Sequence, residues 1–323
     1  MTRSTPSVNH AGIRILTAAI AILAVFAIAP AEEAPSKPGP AWVTPVVQAP
    51  RLQHRTFESA AAKTKVSYFV YTPEIYDAEK ERRFPVEYWL HGSGGGLQGL
   101  RPLVAYFDAA IRGGKIPPML VVFPNGMESS MWCDSKDGRV PMETVVVKEL
   151  VPHIDATFRT VATRAGRLLE GFSMGGYGAA RLGFRYPELF ATVSFIGAGP
   201  LQPEFKVDET PRANPIEARL LFRDVWGDDQ ECFKAQSPRA FAAKNAATLK
   251  TGSRIRQIIG DRDSTLANNR DFEALLKKLE IPHEYSELKG VGHDPKAVLD
   301  ALGESNWEFY REVFGAKEGE GNK

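Results

Sequence analysis

Neither sign of charge is in excess in this 323-residue chain: 40 Lys and Arg face 39 Asp and Glu, which leaves a formal charge of +1. With no basic stripe either, there is no field to draw in nucleic acid or an acidic surface. Internal repeats and sustained heptads are lacking, so repeat architectures are excluded. Only two cysteines occur, Cys133 and Cys232. There is no CxxC and no pair of histidines at ligand spacing, and therefore no metal or cofactor is implied. What remains is an ordinary globular composition, 43% hydrophobic and 24% charged, long enough for one large α/β domain or two small ones.

The amino terminus reads as an export signal over residues 1–31. Arg3 and Arg14 form a basic region, Ile15 to Ile28 is uncharged and apolar, and Ala29-Pro30-Ala31 supplies small residues for cleavage before Glu32. The apolar run is shorter than the roughly 20 residues needed to span a bilayer; an uncleaved anchor is the alternative. A secreted or periplasmic protein with no membrane association after cleavage is expected. Residues 32–50, with Pro35, Pro38, Pro40, Pro45 and Pro50, read as an extended linker. Export also allows Cys133 and Cys232 to form a disulfide joining two loops, against the alternative of two separate thiols.

From Arg51 the pattern changes. Arg51 to Ser59 and Val66 to Tyr71 alternate as two antiparallel strands, and from Val86 apolar strands alternate with helical segments to about Phe314. A βαβα order of this kind predicts one α/β domain over 51–316, a mostly parallel central sheet flanked by helices. Met142 to Thr157 is expected to be an amphipathic helix with Glu143 on its polar face and His153 at the surface. Residues 200–236 lack a clear strand and read as a lid or specificity loop.

One stretch organises the rest. The strand ending at Gly171 turns into a small-residue helix through Gly171-Phe172-Ser173-Met174-Gly175. This is the pattern of a nucleophile elbow, the sharp strand-to-helix turn of α/β-hydrolases that exposes a serine hydroxyl. The Met174 N–H, at the positive end of the new helix, points where an oxyanion forms. Acyl-transfer chemistry needs a second N–H donor, and the loop His91-Gly-Ser-Gly-Gly-Gly96 follows the apolar strand Val86 to Leu90. Ser93 is the first choice for that donor and Gly94 the next. No Gly-Lys-Ser/Thr follows, which removes a phosphate-binding reading of the loop. His91 is expected to brace the loop by hydrogen bonding. Residues 127–141 form a polar loop expected to overhang Ser173, in which Trp132 either stacks on substrate or packs beneath its own loop.

A serine needs a base, and the base needs an acid to fix its tautomer. Of the six histidines, only His293 lies in a glycine loop after the last strand. Gly260-Asp-Arg-Asp263 offers the acid, with Asp263 preferred to Asp261 because it lies far enough along the loop to turn back; as an alternative, Asp263 caps the following helix. The order Ser173, Asp263, His293 is that of α/β-hydrolases.

The motifs GFSMGGYGA, LHGSGGG, FPNG followed by WCDS, GDRD and GVGHD together resemble the esterase D-like family. Within it the chain resembles the feruloyl and acetyl-xylan esterases of carbohydrate esterase family 1, over about Arg51 to Phe314. The resemblance implies an α/β-hydrolase fold and a serine esterase acting on small-molecule or carbohydrate esters, short-acyl or hydroxycinnamoyl. The family also includes siderophore esterases and mycolyltransferases, so acyl transfer to an alcohol is a second reading. A binding module on an inactive scaffold is the reading outside enzymes.

Overall fold

In the computed structural model the chain divides into residues 1–39 and residues 40–323, and residues 1–2, 40–209 and 214–315 are described. The export signal beyond its first two residues, and the linker up to Gly39, lie outside the described residues. From Pro40 onward the expected linker is anchored at Trp42 and is otherwise mostly exposed. The Trp42 side chain is buried, its carbonyl accepts from the Ser67 N–H at 2.9 Å, and Asn125 Nδ2 donates to the Ala41 carbonyl at 2.9 Å. One indole carries enough apolar area to hold an otherwise proline-rich segment down.

The strands are β1 (Leu52–Ser59), β2 (Thr64–Tyr71), β3 (Val86–Leu90), β4 (Leu120–Pro124), β5 (Arg167–Phe172), β6 (Thr192–Ile196), β7 (Arg254–Gly260) and β8 (Glu284–Leu288). They form one eight-stranded sheet in the order β1-β2-β4-β3-β5-β6-β7-β8. β1 and β2 pair antiparallel, β2 pairs antiparallel with β4, and every pair from β4 through β3 to β8 is parallel. β3, β4, β5 and β6 are buried at all their positions, as a sheet covered on both faces requires, and their residues are mostly apolar.

Alternation along the strands divides the core. Tyr88, Leu90 and Leu169 face a cluster with Val145, Tyr177, Leu182, Phe241 and Phe272, whereas Trp89 and Leu168 face Leu100, Phe107, Val298, Trp307 and Tyr310. Helix Leu97–Arg112 and the pair Pro295–Leu302 and Glu304–Phe314 thus cover one face, and helices Met174–Arg185 and Leu266–Lys278 the other. A buried polar line crosses the sheet within this core. Arg256 on β7 pairs with Glu170 on β5 at 2.8 Å, Ser194 on β6 donates to Glu170 at 2.7 Å, and Asn306 accepts from Arg256 at 2.8 Å. The register sets Glu170 opposite Ser194 and Ser194 opposite Arg256, so these charges meet without bending a strand. Burial pushes the Glu87 carboxyl well above its usual range, and the neighbouring Glu170 carboxylate adds to the effect.

The stretch 142–157 is helical throughout, with a π-helical turn over Val145–Leu150. Two of its side chains differ from expectation. Glu143 is buried, taken up by Arg181, Arg185 and Tyr186. His153 is half-buried, stacked 5.1 Å from the Phe57 ring with Nε2 3.0 Å from the Tyr68 hydroxyl. Both are long enough to reach partners on neighbouring elements, which helical periodicity does not register.

Candidate active site

Parallel strands deliver their following loops to one edge, and the strand order decides which loops are neighbours. β5 lies between β3 and β6, so the turn after Phe172 is flanked by the His91 loop and by Gly197. β7 and β8 follow on the same side and bring Gly260–Asp263 and Val291–His293.

At the end of β5, Ser173 has φ +60° and ψ −118°, a conformation rare for a residue with a side chain. It is imposed from both sides, since the Ser173 N–H donates to the Ile196 carbonyl at 2.9 Å while its own carbonyl accepts the Tyr177 N–H at 2.9 Å. The turn is tight enough that a Cβ on Gly175 would stand 1.8 Å from the Leu90 carbonyl oxygen, and one on Gly171 would stand 2.3 Å from that of Gly175. Both neighbours are backbone and cannot move aside, which is why glycine occupies both positions.

The turn directs the Ser173 hydroxyl to His293, whose Nε2 lies 2.8 Å from Oγ. His293 Nδ1 lies 2.6 Å from Asp263 Oδ2, with side chains 6% and 1% exposed. Asp263 Oδ1 accepts the Thr265 N–H and hydroxyl, each at 2.8 Å, so both carboxylate oxygens are engaged. Burial opposes ionisation of Asp263, but the hydrogen bonds from His293 and Thr265 outweigh it and hold the carboxyl below its usual range. With the Nδ1 proton donated to this carboxylate, Nε2 is left to accept from the serine. Helix Leu266–Lys278 gets no side-chain bond from Thr265 at its start, and Asp263 serves both ends of the line, turning Oδ1 to the entry of that helix and Oδ2 to His293. Asp261 is exposed and turned elsewhere, its Oδ1 accepting the Gly290 N–H at 2.7 Å.

On the other side of Ser173 lies the glycine loop. A Cβ on Gly92 would be 3.2 Å from that of Ser173, so the start of the glycine loop lies directly against the serine turn. The Gly94 N–H is already given to the Glu128 carbonyl at 3.0 Å, so it does not compete with that of Ser93 as the second donor. Met174 occupies the first position of its helix, where N–H groups have no intrahelical acceptor.

His91 braces the loop. Nδ1 donates to the Gly92 carbonyl at 2.7 Å, and Nε2 accepts the Gly126 N–H at 2.9 Å. Burial pushes this imidazole down to about 4, against a smaller opposing pull from the Gly92 hydrogen bond. In an unfolded chain it titrates near 6.5. Between these two values the unfolded state binds the proton and the folded state does not, so stability falls as pH drops from about 6.5 to about 4. At 1.36 kcal/mol per pH unit the full loss is about 3 kcal/mol. In urea unfolding, wild type is expected to lose about 2 kcal/mol more between pH 7 and pH 4.5 than His91→Gln, whose amide oxygen still accepts from Gly126. Equal losses in the two proteins would remove His91 as the cause.

Trp132 does not reach the substrate side. It is fully buried, packed edge-on against His91 at 5.1 Å, with Nε1 donating to the His91 carbonyl at 3.4 Å and its ring against Gly126 and Gly178. Its loop, read as polar, hides Met131, Trp132 and Cys133 beneath an outward face that includes Glu128 and Ser129. The expected disulfide is also absent: Cys133 and Cys232 are both free. Each thiol is turned to a local partner, Cys133 Sγ to the Met131 carbonyl at 3.3 Å and Cys232 Sγ to Gln236 Nε2 at 3.2 Å.

Sequence reading missed Arg181, which is fully buried against Glu143, Gln236 and the Trp132 carbonyl. An arginine inside a helix otherwise built of small and apolar residues, Met174 to Phe184, is the signal that points to it.

The sheet order, the strained serine turn and the Ser–His–Asp hydrogen-bonded line define a protein of the α/β-hydrolase fold. The Esterase family profile matches residues 59–319, and the chain belongs to that family. An esterase of Mycobacterium tuberculosis is 30% identical over 259 residues, 76% of this chain and 56% of that protein. An endo-1,4-beta-xylanase/feruloyl esterase of Xylanibacter ruminicola is 32% identical over 167 residues, 47% of this chain and 22% of that protein. The chain thus spans about half, or less, of these relatives' lengths. Among solved structures, a ferulic acid esterase matches with TM-score 0.65 at 24% identity over 81% of this chain and 98% of its own. An S-formylglutathione hydrolase of Agrobacterium tumefaciens matches with TM-score 0.64 at 17% identity over 82% and 95%. At these identities the structures speak for the fold.

Proposed function

We propose that this protein is an exported serine hydrolase of carboxylic esters that works through an acyl-enzyme. The observation that carries the reading is the line Asp263–His293–Ser173 at the sheet edge, with the glycine loop against Ser173 at Gly92; the Ser93 and Met174 N–H groups are the proposed oxyanion donors. In this reading Ser173 attacks the ester carbonyl while His293 takes its proton and then returns it to the leaving alcohol. Asp263 orients the imidazole and stabilises the imidazolium, and the two N–H groups hold the oxyanion. Water then repeats the sequence on the acyl-enzyme. Export is proposed from the basic and apolar segments before Glu32 and is checked by sequencing the amino terminus of protein recovered outside the cytoplasm; a terminus at Met1 contradicts it.

The proposed substrates are short-acyl or hydroxycinnamoyl esters of sugars. The Xylanibacter relative is named a feruloyl esterase, and Glu128 and Ser129 present a polar rim beside the glycine loop. The test is a panel of p-nitrophenyl esters and methyl hydroxycinnamates, with and without alcohol acceptors. Acetyl, butyryl or feruloyl esters are expected to be cleaved faster than C12 to C16 esters. The reverse order overturns the substrate proposal, and products on the added alcohol in preference to free acid would make the protein a transferase.

A further inference from the structure

The loop 127–132 that abuts the glycine loop is held in an unfavourable shape. Met127, Met131 and Trp132 all have left-handed backbones, with φ +56°, +53° and +55°, and none is glycine. Such residues persist only where their surroundings over-determine them. Asn125 and Ser130 hold the loop from within, and its far end, at the Trp132 carbonyl, is held by Arg181, on the helix that begins beside Ser173. Its Nη1 lies 3.2 Å from the Trp132 carbonyl and 2.5 Å from Glu143 Oε2, while Nε and Nη2 reach the Gln236 carbonyl and side-chain oxygen at 2.8 and 3.2 Å. One guanidinium therefore fastens the 127–141 loop and the end of the 200–236 excursion to the nucleophile's helix. A planar fork with several donors does this, and a single ammonium does not.

From Trp132 the contacts lead back to the proposed reaction centre. The indole Nε1–H meets the His91 carbonyl, the His91 ring holds the Gly92 carbonyl and the Gly126 N–H, and Gly92 backs directly onto Ser173. The geometry points to Arg181 as a positioning residue for the oxyanion-binding N–H of Ser93, acting through Trp132 and His91. This inference rests on the ester-hydrolase reading above and extends it to a group that touches no substrate. An oxyanion donor that drifts loses transition-state stabilisation and leaves ground-state binding intact.

The test compares wild type, Arg181→Lys, Trp132→Phe and the double variant on p-nitrophenyl acetate and a trifluoromethyl ketone, whose serine adduct carries an oxyanion. Lysine keeps a positive charge beside Glu143 but does not span Trp132 and Gln236 together. Arg181→Lys is expected to lose about 10-fold or more in kcat, with KM within about 2-fold and ketone affinity reduced in parallel. Trp132→Phe, which keeps the ring and loses the N–H, shifts both quantities the same way by less. The double variant loses less than the product of the single losses, because both act on one line of contacts. Unchanged kcat and ketone affinity in folded Arg181→Lys, or a rise in KM alone, overturns the positioning role. If Arg181→Lys does not fold, an unaltered Trp132→Phe overturns it. A wild type that neither cleaves esters nor takes a fluorophosphonate at Ser173 overturns the hydrolase reading itself, and the inference with it.

Discussion

Ser173→Ala is expected to fold as wild type does and to lose ester hydrolysis by a factor on the order of 10⁴ or more. The size of the loss follows from the arrangement. Ser173 Oγ is the atom 2.8 Å from His293 Nε2, so removing it leaves the base with no proton to take and the acyl group with no attachment. The neighbours that act as a unit with it then contribute little, and what remains is catalysis by binding and the oxyanion donors. The fold does not depend on the hydroxyl, because the turn is fixed by backbone hydrogen bonds to Ile196 and Tyr177. Activity-based labelling gives the check. A fluorophosphonate that modifies another serine, or an alanine variant with substantial turnover, removes Ser173 from its role.

Asp263→Asn is expected to reduce turnover by about 10⁴, and Asp261→Asn to change it little. Asparagine at 263 keeps the shape but presents an amide that favours the wrong histidine tautomer, so that Nε2 carries the proton it should accept. Asp261 holds only the Gly290 N–H, at an exposed position, and its amide oxygen still accepts that bond. The pair of variants separates the two carboxylates within one loop. A silent Asp263→Asn with an inactive Asp261→Asn reassigns the acid.

Much of this protein is local, and local features are legible in a sequence. The elbow is one: a Cβ at 171 or 175 would strike backbone at 2.3 or 1.8 Å, so the glycines are steric requirements that appear as text. The parallel sheet is another, because strands covered on both faces must be mostly apolar, as β3 to β6 are apart from the buried Glu87, Arg167, Glu170, Thr192 and Ser194. The choice of His293 and Asp263 follows from loops at the ends of successive strands, which a parallel sheet must bring to one edge.

Other features depend on which distant side chains a residue meets, and periodicity carries no record of that. Glu143 reads as polar surface until Arg181, Arg185 and Tyr186 arrive from another helix. Trp132 lies in a charged, glycine-containing loop and looks available to substrate, yet the space beside Gly126 and Gly178 draws its ring inward against His91. The two cysteines follow strands that do end at one edge, but each thiol settles on a partner within its own loop or helix. The sequence by itself determined the order of elements, the strained serine and the residues able to complete its chemistry, because sterics and strand burial act over a few residues. Tertiary structure alone decided that the Gly94 N–H is taken by Glu128 and which buried arginine holds the surrounding loops, because both depend on contacts between segments far apart in the chain.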